Sequence, residues 1–168
     1  MTIPNVDHLL DQAERLITAT GRGAPRQVDL RRAISNAYYA LFHAVSIAGA
    51  DEIVGRAKQS EPLYALVYRS IDHRALRQLC EDLVKSTLPA RYSRYVPGGF
   101  PVLGIGVFAF AMVDLQVKRH SADYDPMIRL SVLDARMAIR TARRALTLFR
   151  MVRRDRRVFL MLLLFPPR

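Results

Sequence analysis

Residues 28–50, VDLRRAISNAYYALFHAVSIAGA, decide the fold. Placed at about 100° per residue, the polar members Arg32, Ser35, Asn36, Tyr39, His43 and Ser46 fall within an arc of about 100°. The rest of the circumference is alanine and large apolar residues, from Ala33 and Ile34 to Val45 and Ala48. A helix of that kind has to be gripped by neighbours on three sides, and the alanines at 33, 37, 40 and 44 let those neighbours come close. A central helix from about Asp29 to Ala50 is therefore expected, in an all-α protein. Arg32 and His43 stand three turns plus about 20° apart, with Tyr39 between them on the same line. The stripe either lines a cleft or is the solvated side of a packed helix.

Working outward, Asn5 precedes Val6, Leu9, Leu10, Ala13, Leu16 and Ile17, apolar residues at three- and four-residue steps that stop before Gly21-Arg22-Gly23. That pattern is a capped amphipathic helix. Residues 51–69 carry Gly55 and Pro62 and lack a clear period, so they read as a loop with room for one short helix. Asp72 caps a third helix, His73 to about Ser86, and Pro89 to Pro101 forms a connector. A fourth helix is expected from about Val102 to His120, and Asp125-Pro126 offers a cap and an N1 proline for a fifth. No stretch alternates with period two for long enough to form a sheet. The expectation is an antiparallel four- to five-helix bundle over residues 1–157, followed by an apolar tail over 158–168. Val158 to Phe165 would invite aggregation if exposed, so the tail is expected to pack on the bundle or across a dimer interface.

At 168 residues, 51% of them hydrophobic, one core suffices without disulfide or metal staples. Cys80 is the only cysteine, which excludes an internal disulfide and a CxxC redox pair and fits a reducing compartment. The start MTIPNVDHLLDQAERL has neither a basic leader nor an apolar h-region, so a cytoplasmic location is expected. A membrane-spanning helix needs about 18–20 apolar residues. The run 100–113 is stopped by Asp114 and the run 158–165 by Pro166-Pro167, so no membrane role is expected.

The formal net charge is +11, and it is unevenly placed. From Pro126 onward eleven arginines face only Asp134 and Asp155, so this segment carries +9 of the total. Arg136, Arg140, Arg143 and Arg144 share one helical face, opposite Leu146 and Phe149. Arginine suits bidentate phosphate contacts, so the face is a polyanion-binding stripe or a solvated surface that keeps the protein soluble. Asp114, the lone charge after a long uncharged run, needs a partner if buried. Lys118 is the local candidate, Arg31 or Arg32 the long-range one, and the role expected of Asp114 is structural.

Two segments together, RRAISNAYYALFHA (31–44) and KRHSADYDP (118–126), resemble the HEPN superfamily of helical bundles, named for higher eukaryote and prokaryote nucleotide-binding domains. The similarity is to the branch in which an RAxxxAYYAxFH helix pairs with a later RxxADYD segment, and it covers residues 5 to 150. The resemblance implies a bundle that usually dimerises. It also implies kinship with metal-independent ribonucleases of toxin–antitoxin or antiphage systems, often accompanied by a nucleotidyltransferase or antitoxin partner. The usual nuclease signature is an arginine, four to six residues, then a histidine. None of His8, His43, His73 and His120 has an arginine at that spacing.

The expected function is therefore RNA or nucleotide-partner binding in a prokaryotic stress or defence system. The alternatives are a ribonuclease with a rearranged Arg/His set and a non-catalytic protein-interaction module. The expected RNA contacts are Arg32, Tyr39, His43, Arg119 and Tyr124, with Arg136, Arg140, Arg143 and Arg144 as a second stripe. Metal-free cleavage needs a base, an acid and a cation. His43, His120 or His73 would supply the first two and Arg32 or Arg119 the third. Asp123 and Asp125 are expected to be structural, an i,i+4 partner for Arg119 and a helix cap, with no metal. No P-loop, GxGxxG, GxSxG or HExxH pattern occurs, and no cofactor is expected.

Overall fold

The computed structural model describes residues 3–18, 23–96, 98–99 and 104–167, and its regular elements are all helical. In chain order they are α1 (Val6–Ile17), α2 (Gln27–Ile53), α3 (Pro62–Ser70), α4 (His73–Leu83), α5 (Ala90–Ser93), α6 (Ile105–Tyr124), α7 (Val132–Met151) and α8 (Arg153–Leu164), with a 3-10 turn at Arg56–Lys58. Helices α1, α2, α4, α6 and α7 are the five expected from sequence, α3 is the short helix allowed for in 51–69, and α5 and α8 add to them. The Gly21 stop, the Val102 start and Arg168 lie outside the described residues.

Helix α2 is the axis, packed against α1, α3, α6, α7 and α8, while α6 lies between α4 and α7. Ala33, Ala37, Ala40 and Ala44 are all buried, which is how one helix accommodates so many neighbours. Asn5 caps α1 by accepting from the amides of Asp7 and His8 at 3.0 and 3.3 Å. Asp72 caps α4 by accepting from Arg74 and Ala75 at 2.8 and 2.9 Å.

Several boundaries differ from the sequence reading: α2 runs from Gln27 to Ile53, two residues earlier and three later than expected. Helix α4 stops at Leu83, three residues early. Helix α6 continues past His120 through Tyr124, with Asp125 as its C-cap. The Asp125-Pro126 pair therefore does not start α7: Asp125 accepts from the amide of Met127 at 2.9 Å in a turn of its own. Helix α7 begins instead with a reciprocal box, Ser131 capping the Asp134 amide while Asp134 accepts from the Ser131 amide at 2.8 Å.

The apolar tail is the second half of a helix that starts at Arg153, so the expected division at 157/158 falls inside α8. Phe159, Leu160, Leu162 and Leu163 are buried on the bundle. Phe159 meets Phe108 and Phe149 at ring distances of 5.9 and 6.2 Å, and those two stack on each other at 4.3 Å. Arg157 Nε pairs with Glu52 of α2 at 2.6 Å, fastening the outer side of α8. Gly104 opens α6 at φ +89°, where any Cβ would come within 2.5 Å of Val152. Only glycine suits that junction.

Asp82 is buried between Lys85, at 2.5 Å, and Arg91, with both of its oxygens engaged. Burial pushes its carboxyl up, but the two cations more than offset this and hold it below the ordinary carboxylate value. Cys80 is wholly buried and its thiol is pushed far up by desolvation, so it is a core residue and not a nucleophile. No helix among the described residues is long and apolar enough to cross a membrane.

Candidate functional site

The polar stripe of α2 is not a uniform wet face. Ser35, Asn36 and Ser46 are buried and each has a partner: Asp123 at 2.5 Å, Gln12 at 3.1 Å and the Phe42 carbonyl at 3.2 Å. Tyr39 and His43 are half-buried and Arg32 is exposed. The stripe is therefore mostly an interhelical seam, opening to solvent around Tyr39 and His43.

Arg119 of α6 reaches this opening and donates through Nη2 to the Tyr39 hydroxyl at 2.6 Å. Its guanidinium lies 5.3 Å over the Tyr39 ring and 5.4 Å over that of Tyr124. Asp123 Oδ2 lies 2.7 Å from the buried Nε of Arg119 and forms an ion pair with it. The other oxygen of Asp123 accepts from Ser35. The two motifs quoted above are thus joined by side chains, Ser35–Asp123–Arg119–Tyr39.

Two imidazoles border the same opening. His43 Nδ1 shares a 2.6 Å hydrogen bond with the Tyr68 hydroxyl of α3, and the two rings lie within 7° of parallel. His73, the first residue of α4, shares a 2.7 Å bond through Nδ1 with the Tyr38 hydroxyl and stacks on Phe42 at 3.7 Å. Each phenol donates when its imidazole carries the proton on Nε2. Tyr39 stands 6.1 Å from the His43 ring and 6.4 Å from that of His73.

Both histidines are pushed below their ordinary pKa. For His43 the main cause is burial and the second is the neighbouring His73; for His73 it is burial, then the Arg119 cation. At neutral pH both rings are uncharged. Tyr38 and Tyr68 are pushed up by desolvation and stay protonated.

The segment that carries Arg119 and Asp123 is held by the first turns of α2. Arg31 donates from Nη1 to the carbonyls of Ala122 and Asp125 at 2.7 and 2.9 Å, and from Nη2 to that of Ile128 at 2.8 Å. These carbonyls end α6 and follow it, where an orphan acceptor needs a donor. Gln27 adds a reciprocal pair with the Leu130 backbone at 2.8 and 2.9 Å. Gln27, Arg31 and Ser35 recur every four residues, so one face of α2 positions the whole 122–130 stretch.

The remaining candidates lie elsewhere. Arg32 makes no ion pair among the described residues. His120 is exposed, and its ring lies 5.0 Å from that of Tyr124 on the same helix. Asp114 is part-exposed, not buried, and pairs with Lys118 at 2.7 Å; neither Arg31 nor Arg32 reaches it. Arg143 binds Asp11 at 3.1 Å and, beside it, Arg150 grips Asp7 with two nitrogens, at 3.1 and 2.8 Å, so these two fasten α7 to α1. Arg136, Arg140 and Arg144 are exposed. Sequence reasoning left out Tyr38 and Tyr68 because tyrosines in an apolar helix and an aperiodic segment carry no chemical signal until they meet a histidine. Among the described residues no cluster of His, Cys, Asp or Glu has the makings of a metal site.

No family model, curated protein or solved structure matches the chain.

Proposed function

We propose that this chain is an RNA-binding helical bundle of HEPN type, working in a prokaryotic stress, toxin–antitoxin or defence system. The observation that supports it is the convergence of Arg119, Tyr39, His43 and His73 on one opening, fed by both motifs that carry the resemblance. A guanidinium framed by two rings suits a phosphate oxygen. The half-exposed rings beside it suit bases. The net charge of +11 adds a general attraction for polyanions. A homodimer, or a nucleotidyltransferase or antitoxin partner, belongs to the same proposal through the resemblance.

An unstructured RNA shifted in a native gel, with retention that falls steeply as KCl rises, is the expected result. Absence of any retention at low salt contradicts the proposal.

A second reading, metal-independent RNA cleavage, is favoured by the pairing of two imidazoles with a cation. One neutral imidazole supplies the base and Arg119 the charge for the phosphorane. The acid is missing at neutral pH because both rings are uncharged. Binding is therefore the first reading. On the second, cleavage in EDTA rises as pH falls below the ordinary histidine value and a ring gains its proton, and it disappears in both His43→Ala and His73→Ala.

A further inference from the structure

Helix α7 presents an outer line made of Leu133, Met137, Arg140, Arg144, Thr147 and Met151, all exposed. Their steps are four, three, four, three and four, the spacing of a coiled-coil seam, and the line runs about 27 Å along five turns. The opposite face, from Ala135 to Phe149, is buried in the bundle. Leu133, Met137 and Met151 keep 64%, 46% and 70% of their surface in water. Arg140 and Arg144, at the middle of the line, have no carboxylate partner among the described residues, whereas Arg143 and Arg150 on the flank are bound to Asp11 and Asp7. The seam is thus apolar at both ends and cationic at its centre.

We infer that this seam docks one helix of a partner protein, apolar at its ends and acidic at its centre. The charge pattern selects that occupant. A second copy of α7 in either direction would set Arg140 and Arg144 against each other. A bilayer would press two guanidinium groups into the middle of the contact, where their desolvation is costly. A nucleic acid would leave Leu133 and Met151 against sugar and phosphate with nothing apolar to cover them. An acidic amphipathic helix satisfies the ends and the centre together. This interface is separate from the opening around Tyr39, since α6 stands between α7 and α4, and it does not depend on RNA being bound there.

The probe is a three-heptad synthetic peptide with Leu at the seam positions of its outer heptads, Glu at those of the middle one, and Ala and Gln elsewhere. Fluorescence anisotropy on the full chain is expected to give saturable binding that the same composition in scrambled order does not. Arg140→Glu/Arg144→Glu is expected to weaken it about tenfold or more, and a Lys-centred peptide to prefer that variant over the original. Leu133→Ser/Met151→Ser is expected to weaken the Glu-centred peptide as well, with the thermal midpoint unchanged because both side chains are exposed. Equal binding of ordered and scrambled peptides, or a charge swap that does not exchange preference, overturns the inference. So does loss of binding in the charge variant alone, which marks unspecific attraction. Retention of duplex RNA or of phosphatidylserine vesicles that both variants abolish, with the peptide unbound, also overturns it and assigns the face to those ligands.

Discussion

Arg119 Nη2 donates to the Tyr39 hydroxyl at 2.6 Å across a sequence separation of 80 residues, and this bond joins the two helices that carry the recognisable motifs. It is also where the seam of α2 changes character. Below it Ser35 and Asn36 are buried and satisfied; above it His43, with His73 and Tyr68 from the neighbouring helices, borders open solvent.

Arg31 holds that bond in place without touching Tyr39. Its three carbonyl contacts fix the end of α6, so Arg31→Ala leaves those acceptors unpaired and is expected to lower stability by about 1–3 kcal/mol in urea unfolding. Arg31→Lys, able to reach one carbonyl at a time, recovers part of the loss. Unchanged stability in both variants would show that solvent serves these carbonyls equally well.

His43 and His73 make stability depend on pH in a defined direction. Because the folded state holds both below the ordinary histidine value, the unfolded chain binds more protons in the window beneath about pH 6.5. Their stabilising contribution is full above that pH and declines as pH falls through it. The thermal midpoint is expected to be lower at about pH 5.5 than at about pH 7.5, and a His43→Gln/His73→Gln variant to flatten the difference. The aspartates held low by arginine, such as Asp7 beside Arg150, titrate further down and do not confuse this window.

Phe159 tests the placement of α8. It is fully buried against Phe108 and Phe149, so Phe159→Ala is expected to cost about 3–5 kcal/mol. Truncation after Arg157 removes it with Leu160, Leu162 and Leu163 and is expected to expose that core and reduce solubility. A truncated chain with the original melting temperature would contradict the packing of α8.

Much of this was legible in the sequence where the signal is local. The Asn5 and Asp72 caps and the arc of α2 follow from spacing, because capping and helical period act within a few residues. What spacing cannot carry is a bond between distant elements. Asp125-Pro126 has the form of a helix start, yet Arg31 holds the carbonyls of Ala122, Asp125 and Ile128, on both sides of the proline, against α2, and the helix starts after Ser131. Likewise Arg32 looked the equal of Tyr39 on the stripe, but the arginine that meets Tyr39 comes from α6. His73 has no periodic relation to His43; the turn before α4 brings it to Phe42 and Tyr38.

The most direct test of the RNA-binding proposal is a salt series of RNA affinity for the original chain and for Arg119→Gln, read by anisotropy with a labelled unstructured RNA. The account predicts a steep linear fall of log affinity with log salt for the original chain. The variant should bind about tenfold more weakly with a slope shallower by about one unit, since one phosphate contact is lost. Thermal melting of both proteins separates this from loss of fold. Equal affinity and slope for the two folded proteins, or no RNA retained by either, contradicts the account.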